Sequence, residues 1–328
     1  MWVFLVRRVF WAIVLVFAVT IITYAIFFLL PSDPAQLAAG RGASPQAIAM
    51  VRKLLHFDEP VWKQYLRFVW NLFRHGSLGY SYVNREDVTR RVTDALPVTG
   101  SLIVGGALLV LVVSIPVGVL SAVRPRSLLD RISMIFVLFG ISTQPVWLGL
   151  VLSFVFGYKL GITPIAGYCN AIAGPFDQCG GAISWASHLV LPWITFSVLF
   201  AALYVRMIRA QLMEAMNEDY VRTARAKGLS ELRVVVRHAL RNSMLPVVTI
   251  LGMDLGLAFG TAVFIEQTFS LPGIGRDLYL ASNQLDLPVI VGIVMVVALI
   301  VIVLNLVVDL VYGVLDPRIR LTDPVRLG

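Results

Sequence analysis

The chain contains two cysteines, Cys169 and Cys179, in the stretch YCNAIAGPFDQCGG between two long apolar segments. Two cysteines with no others to compete for them tend to pair in an oxidising compartment. Such a bond would close a small loop and stabilise the fold by about 2–3 kcal/mol in the chain-entropy model. Zinc is disfavoured because no second pair of ligands lies nearby. The sequence predicts a disulfide if this stretch faces outward; the alternative is two unpaired thiols without a role.

Asp254 is a charged residue in the middle of an apolar stretch, TILGMDLGLAFG. A charge at bilayer depth costs at least about 2.5 kcal/mol, so such a group is a candidate for function. Three roles stay open: facing a solute pathway, pairing with another subunit, or supporting the fold. A polar break in a different apolar stretch consists of Ser142, Thr143 and Gln144, just before Pro145. That break can line a cavity, or its hydroxyl can bond a neighbouring carbonyl.

Several kinds of chemistry have no motif in this sequence. Nothing matches the phosphate-binding loop G-x-x-x-x-G-K-[ST] or a dinucleotide fingerprint. The four histidines are scattered, and no set of metal ligands or nucleophile–base pair falls at membrane depth. The sequence therefore predicts a chain that is not catalytic and binds no metal or cofactor of its own. Any energy for its action must come from elsewhere.

A basic stretch, DYVRTARAKGLSELRVVVRHALRN, lies between two of the most apolar parts of the chain. Gly228 is predicted to divide it into two short helices, with Ser230 as the N-cap of the second. The residues at this bend, Ala224, Ala226 and Gly228, have small side chains or none. Another backbone can therefore approach the bend closely. Spacings of three and four predict one apolar face, made of Leu229, Leu232, Val236 and Ala239 or Leu240. A different face carries Arg233, Arg237 and Arg241.

Arginine offers forked donors to carboxylates, so a protein partner would explain both the charge and the bend of this stretch. Anionic lipid is the alternative partner, and it explains the charge alone.

The composition indicates that the residues discussed above are positioned by helices that cross a membrane. The chain is 58% hydrophobic and 14% charged, whereas a soluble domain carries about 25% charged residues. Glu266 and Asp309 lie near the ends of apolar segments, where a side chain reaches water easily, and no role is predicted for them. Six segments have the roughly 20 apolar residues that a span needs: 9–30, 98–123, 132–158, 187–208, 243–265 and 287–312. The first is longer than the core of a signal peptide, so it is predicted to be retained.

Basic residues set the predicted orientation of these spans. They concentrate in the connections that share a side with both termini, including 219–242, whereas the short connections of the other side hold little beyond Lys159 and Arg276. Both termini and 219–242 are therefore expected to be cytoplasmic. The segment 31–97 is also basic, but loops beyond roughly 60 residues are translocated largely regardless of charge, so it is expected to lie outside.

The external segment is predicted to contain two short helices, SPQAIAMVRKLLHF and DEPVWKQYLRFVWNLF. The second is aromatic, as helices at a membrane interface often are: Trp62, Tyr65, Phe68, Trp70 and Phe73. The segment is either a folded cap on the spans or a docking surface for an external partner. The predicted organisation is an all-α membrane protein with these parts: a first helix (1–30), the external segment (31–94), a five-helix core (95–312) with a cytoplasmic loop (210–242), and a cytoplasmic tail (313–328).

Five motifs, in order along nearly the whole chain, resemble the dipeptide/oligopeptide family of ABC importer permeases, in the type with a large external segment after the first helix. They are the first helix with its PSDPA turn, GSLGYS, YVRTARAKGL, EQTFSLPGIGRDLYLASNQLDLPVIVG and NLVVDLVYGVLDPRIR. The chain departs from the family's pattern at four positions: Ser32, Ser77, Arg222 and Arg241.

The resemblance implies a type I ABC importer permease fold with six transmembrane helices in the cytoplasmic membrane of a bacterium. Its partners would be a second, homologous permease, two ATPase domains or subunits that bind ATP and magnesium, an external substrate-binding protein and membrane lipid. No nucleic acid is expected. The basic stretch would be the coupling helix, and the residues that contact or flank an ATPase would be Ala224, Arg225, Lys227, Gly228, Leu229, Arg233 and Arg237.

The implied activity is import of di- or oligopeptides by alternating access, driven by the nucleotide state of the partners. Of the three roles that stay open for Asp254, the pathway role would let it attract a peptide's amino group, and the cavity lined by Thr143 and Gln144 would belong to the same pathway. The turn LPGIGRD would be an outer gate, a contact for the binding protein or a plain tight turn, through Pro272, Gly273 and Gly275.

Two kinds of alternative stay open. Related importers carry nickel chelates, glutathione or haem on the same architecture. A secondary transporter or channel that works without ATP would need ion-coupling carboxylates in several spans and inverted repeats. The sequence has one mid-span acid and no convincing repeat, which favours the importer.

Overall fold

The computed structural model describes residues 2–29, 34–39, 42–54, 58–81, 83–172 and 179–315. This part of the chain is mostly helical, as predicted, with one antiparallel hairpin of two short strands. The predicted tail lies outside the described residues from position 316 onward. The elements are α1 Trp2–Leu29, α2 Pro34–Ala39, α3 Pro45–Leu54, α4 Val61–His75, β1 Tyr80–Ser81, β2 Glu86–Asp87, α5 Val88–Val123, α6 Leu128–Ser142, α7 Pro145–Leu152, α8 Ala182–Ala215, α9 Asp219–Ala226, α10 Glu231–Arg233, α11 Leu240–Phe269, α12 Ile274–Gln284 and α13 Leu287–Leu315. Two π-helical segments, Ser153–Lys159 and Val234–Ala239, continue α7 and α10.

Three described helices are long and apolar enough to cross a membrane: α5, α8 and the Leu287–Val308 part of α13. Two bent pairs of helices raise the number to five if each pair is one span. A shorter apolar helix, Ile13–Ala25, lies within α1. The expectation of several spanning helices is confirmed. The number six and the side on which the termini lie stay predictions.

The predicted third span, 132–158, bends sharply at its predicted polar break. Thr143 and Gln144 are extended, and α7 begins at Pro145 with a bend of 108° between the two halves. Proline has no N–H to donate, and it disfavours helical geometry in the residue before it. The Thr143 hydroxyl donates to the Phe139 carbonyl at 2.6 Å, so one of the freed backbone groups is satisfied locally.

Packing divides the chain into two units, a first unit of residues 1–99 and 272–303 and a second unit of residues 100–271 and 304–328. Side chains from the hairpin region, the start of α5, α12 and the start of α13 form the core of the first unit: Leu78, Val88, Val92, Ala95, Ile274, Ala281, Val289, Ile293 and Met295. Residues far apart in the chain therefore share one core.

The second unit is built around α8, which packs against α6 and α11. Glycines lie where helices approach one another. A Cβ on Gly140 would come 2.6 Å from the Cβ of Ala202, and one on Gly118 would come 2.9 Å from the Cβ of Ile208. Small residues at such contacts let the backbones of membrane helices pack closely.

Candidate functional site

The basic stretch bends at Gly228, as the sequence predicts. α9 ends at Ala226, and Gly228 has φ +75, a left-handed conformation that suits glycine. Its N–H donates to the Arg225 carbonyl at 2.9 Å. Apart from Gly228 and the residues next to it in the chain, no described atom lies within 4 Å of the position that a Cβ on Gly228 would take. The bend is therefore open, and a partner can approach it.

A small apolar core holds the bend in place. This core joins α9 and the π-helical segment Val234–Ala239 to the ends of α5 and α8. Its buried members are Ala122, Leu212, Ala215, Val221, Ala224, Val234, Val235 and Ala239. Of the predicted contact residues, Ala224 is thus buried in this core and Leu229 is partly buried, whereas the others are exposed: Arg225, Lys227, Gly228, Arg233 and Arg237. The charged residues of the predicted contact set and the glycine are therefore accessible to a partner.

The predicted apolar face of the second short helix is wrong in part. Leu232 is 77% exposed and Val236 is 51% exposed, whereas Val234 and Val235 are buried. The prediction assumed the regular α-helical period, but residues 234–239 are π-helical, and Leu240 N–H donates to the Val235 carbonyl five residues back. The wider turn changes which side chains share a face.

An ion pair spans the bend. The Arg225 guanidinium donates to both carboxylate oxygens of Glu231, at 3.1 Å from Nε and 2.6 Å from Nη2. Ser230 stands at the N-cap position with extended geometry, as predicted, but its side chain makes no capping hydrogen bond. The ion pair rather than the cap connects the two sides of Gly228.

A second arginine–carboxylate pair, which sequence reasoning missed, lies in the same unit. Arg209 Nε donates to Asp130 Oδ1 at 2.7 Å and Nη2 donates to Oδ2 at 3.0 Å. The Arg126 N–H and the Ser121 hydroxyl also donate to this carboxylate. The group, which we call the Asp130 clamp, joins α5, α6 and α8 through Ser121, Asp130 and Arg209.

Asp254 has a partner inside the chain. The Tyr204 hydroxyl on α8 donates to Asp254 Oδ2 on α11 at 2.9 Å, and Tyr204 itself is buried. A phenol satisfies one lone pair but supplies no positive charge, so this contact leaves the charge of an ionised Asp254 uncompensated. Its role in a pathway stays a prediction. Of the other two predicted pathway residues, Gln144 is exposed and Thr143 is partly exposed.

Glu266 corrects an expectation. The sequence placed it near the end of a span, where the side chain could reach water, but it is 0% exposed. Glu266 lies in the last turn of α11, which ends at Phe269, so nearness to the helix end does not by itself bring the side chain to water. The side chain of Asp309, for which the same was expected, lies outside the described residues.

The turn LPGIGRD opens a helix that the sequence analysis missed, α12. Pro272 is exposed, whereas Gly273 and Gly275 are buried. The Ile274 N–H donates to the Thr99 hydroxyl at 2.8 Å. A usable signal was present in the sequence, since Ile274, Leu278 and Ala281 recur at helical spacing. Whether the turn serves as a gate stays a prediction.

Polar contacts tie α12 and the start of α13 to the hairpin region. Arg91 bridges Glu86 at 2.7 Å and Asp277 at 2.9 Å. The Ser81 hydroxyl donates to the buried Asp286 carboxylate just before α13. Burial raises the pKa of Asp286, although hydrogen bonds from Ser81 and Asn84 oppose the shift.

The predicted disulfide is confirmed: Cys169 and Cys179 are bonded. Cys169 is buried, and its Sγ lies 3.6 Å from His188 Nε2 on α8. The contact between Cys169 and His188 therefore joins this bonded loop to α8.

Taken together, the fold and the site define a helical membrane protein with an open basic bend and no motif for energy chemistry of its own. Residues 114–321 match the model of the family described as "Binding-protein-dependent transport system inner membrane component", and residues 1–103 match the N-terminal model of such membrane components. The chain belongs to this family, and it is an inner-membrane component.

Curated relatives cover nearly the whole chain. It is 37% identical over 334 residues to the dipeptide transport system permease protein DppB of Escherichia coli, which covers 97% of this chain and 98% of the relative. It is 38% identical over 331 residues to the di/tripeptide transport system permease protein DppB of Pseudomonas aeruginosa (97% and 98%). A putative peptide transport system permease protein of Brucella abortus is 37% identical over 318 residues (96% and 98%). The predicted family resemblance is confirmed.

Proposed function

We propose that the chain is the membrane-spanning permease subunit of an ATP-driven importer of di- or oligopeptides, which works by alternating access. The relatives named above are permeases of dipeptide, di/tripeptide and peptide transport systems, which favours peptides over nickel chelates, glutathione or haem. The proposed assembly contains a second permease, two ATPase domains or subunits that bind ATP and magnesium, and an external binding protein. All six predicted spans and cytoplasmic termini belong to this proposal.

The open bend at Gly228 carries the proposal. A Cβ on the glycine would meet open space, and the exposed Lys227, Arg233 and Arg237 lie on the same stretch. A surface that combines a small residue with forked arginine donors suits insertion into a groove with carboxylates. In this role, the bend transmits closure of the ATPases through the apolar core beneath it to α5 and α8.

Substitution of Gly228 by leucine tests this role. The side chain would extend into the space that a partner is proposed to occupy, and its Cβ would meet no atom of the free chain within 4 Å. We expect ATP-driven peptide uptake in proteoliposomes containing the complete assembly to fall at least tenfold, which corresponds to about 1.4 kcal/mol of lost coupling. ATP hydrolysis measured in the same vesicles should no longer respond to the binding protein.

Gly161 provides a matched control, because it also has positive φ (+62) and nothing lies within 4 Å of the position that a Cβ there would take. Gly161→Leu introduces the same side chain and comparable backbone strain in the predicted external loop. It should retain uptake. Normal uptake by the Gly228→Leu assembly would count against the coupling role.

Asp254 is proposed to attract the amino group of a peptide, since its described hydrogen-bond partner is a neutral phenol. Asp254→Asn keeps the size of the side chain and removes the charge. We expect about tenfold slower uptake of a peptide with a free amino terminus, a loss of about 1.4 kcal/mol, with a much smaller effect on its N-acetylated form. Tyr204→Phe, which removes the hydrogen bond and leaves the carboxylate, is the control. Equal losses for both peptides would assign Asp254 to the fold instead.

A further inference from the structure

The helix α4 presents an apolar column on its exposed side. Trp62, Leu66 and Trp70 recur every four residues, and they are 61%, 55% and 61% exposed. Residues four apart lie on the same side of a helix, so the three side chains form one continuous stripe. Large apolar side chains in a contiguous exposed stripe indicate a binding surface rather than an ordinary surface.

The opposite side of α4 is fixed to the first unit. Tyr65 hydrogen-bonds Thr20 of α1 at 2.8 Å between their hydroxyl oxygens, and its ring packs edge-to-face on Tyr24 with centroids 5.5 Å apart. Phe68 and Leu72 pack against the core of the first unit. The stripe is therefore held on a firmly attached helix, and its exposure is not a consequence of a loose segment.

The contacts with α1 also set the level of α4 relative to the first helix. Thr20 and Tyr24 precede the end of α1 at Leu29 by about 14 Å and 8 Å along the helix axis, at 1.5 Å per residue. α4 thus lies beside the C-terminal half of an apolar helix and not beyond its end. At that level, an exposed face of a membrane protein meets lipid where no other subunit covers it.

Charge is arranged beside the stripe as a lipid surface requires. A neighbouring exposed column carries Lys63, Arg67 and Asn71. Arg67 is paired with Glu59 at 2.7 Å, and Arg74 extends the apolar column, where its guanidinium lies 5.8 Å from the centre of the Trp70 ring. Tryptophan prefers the boundary between hydrocarbon and headgroups, and lysine and arginine beside it contact anionic headgroups.

We propose that the Trp62–Leu66–Trp70 stripe lies in the surface of the lipid bilayer and anchors the external segment to it. The apolar column enters the boundary region, and the column with Lys63 remains at the level of the phosphates. The inference needs α1 to be in the membrane, but it needs no substrate, ATPase or binding protein. Its failure would therefore leave the proposed import function untouched.

Spin labels on two neighbouring positions test the anchor. The variants are Leu66→Cys on the apolar column and Asn71→Cys on the polar column, each in the full chain, whose two native cysteines are already bonded. The protein is reconstituted in vesicles of phosphatidylethanolamine and phosphatidylglycerol. Collision with oxygen, which concentrates in lipid, is compared with collision with a water-soluble nickel chelate.

The label at position 66 is expected to show a several-fold higher ratio of oxygen to chelate collisions than the label at position 71. Equal ratios at the two positions would overturn the proposal. So would a position-66 label that is shielded from both reagents, which indicates protein around it. A label that is open to the chelate until external binding protein is added would overturn it as well and assign the stripe to that protein.

Discussion

Two arginine–carboxylate pairs in the second unit share a geometry and differ in burial. Arg209 with Asp130 and Arg225 with Glu231 are both forked, with two N–H donors on two oxygens. The side chains of the first pair are 24% and 7% exposed, and those of the second are 39% and 54% exposed. The same forked hydrogen bonding therefore occurs once in a largely buried pair and once in an exposed pair.

The difference shows how burial assigns a role to an ion pair. In the Asp130 clamp, Ser121 and the Arg126 N–H also donate to the carboxylate, so three helices depend on one charge being fully satisfied. The Arg225–Glu231 pair spans only six residues and stands in water, where such pairs stabilise by about 0–1 kcal/mol. The Asp130 clamp holds α5, α6 and α8 together, whereas the exposed pair lies on the surface of the bend at Gly228, where a partner can reach it.

Removal of the Arg209 charge should have the largest effect on stability. Arg209→Met leaves an enclosed carboxylate without its cation, and we expect a loss of about 3 kcal/mol in the free energy of unfolding. Denaturant titration in mixed micelles measures it. The double variant Arg209→Met/Asp130→Leu should recover much of the loss, because no charge is then left enclosed. A single variant as stable as the wild type would erase the distinction between the two pairs.

Gly228 lies between Arg225 and Glu231, the partners of the exposed pair. Its substitution by alanine should have an intermediate effect on the free energy of unfolding. Gly228→Ala places a Cβ at φ +75 in open space, so it brings backbone strain without a clash and should cost about 1 kcal/mol. The same titration compares it with Gly100→Ala, at an open position inside α5, which should stabilise by about 0.5–1 kcal/mol because glycine is unfavourable within helices. If both alanine substitutions changed the free energy of unfolding in the same direction, the left-handed geometry of the bend would be contradicted.

The smallest effect is expected for the exposed pair itself. Arg225→Met should change the free energy of unfolding by less than about 1 kcal/mol, and the change should shrink as salt screens the charges. Titrations at low and high ionic strength measure both effects. A loss comparable to that of Arg209→Met would mean that the bend is as integral to the fold as the clamp.

The same contrast explains which features could be predicted from the sequence. The break at Gly228 and the disulfide are local, and each depends on residue types close together in the chain. The Asp130 clamp joins residues 79 positions apart, and no periodicity indicates which of many arginines Asp130 will meet. The buried face near Val234 was missed because its π-helical turn departs from the period on which the prediction relied.

The site as a whole was partly predictable for the same reason. Motif resemblance located the bend and its charges, but it treated Ala224 as a contact residue, whereas that side chain is buried in the chain's own core. Similarly, Gly273 and Gly275 gave a turn signal, yet their burial follows from the Thr99 hydrogen bond and from the packing of α12. Sequence gives the positions of flexible and small residues, and tertiary contacts decide which of them remain accessible.

The bond between Cys169 and Cys179 has a consequence for how the protein is made. Cysteines reach the oxidised state outside the reducing cytosol, so under the predicted topology this loop must be translocated before the bond can close. Maturation of the connection between α7 and α8 is then a step that follows membrane insertion. A cell deficient in thiol oxidation should accumulate an inserted chain in which this one connection is unfinished.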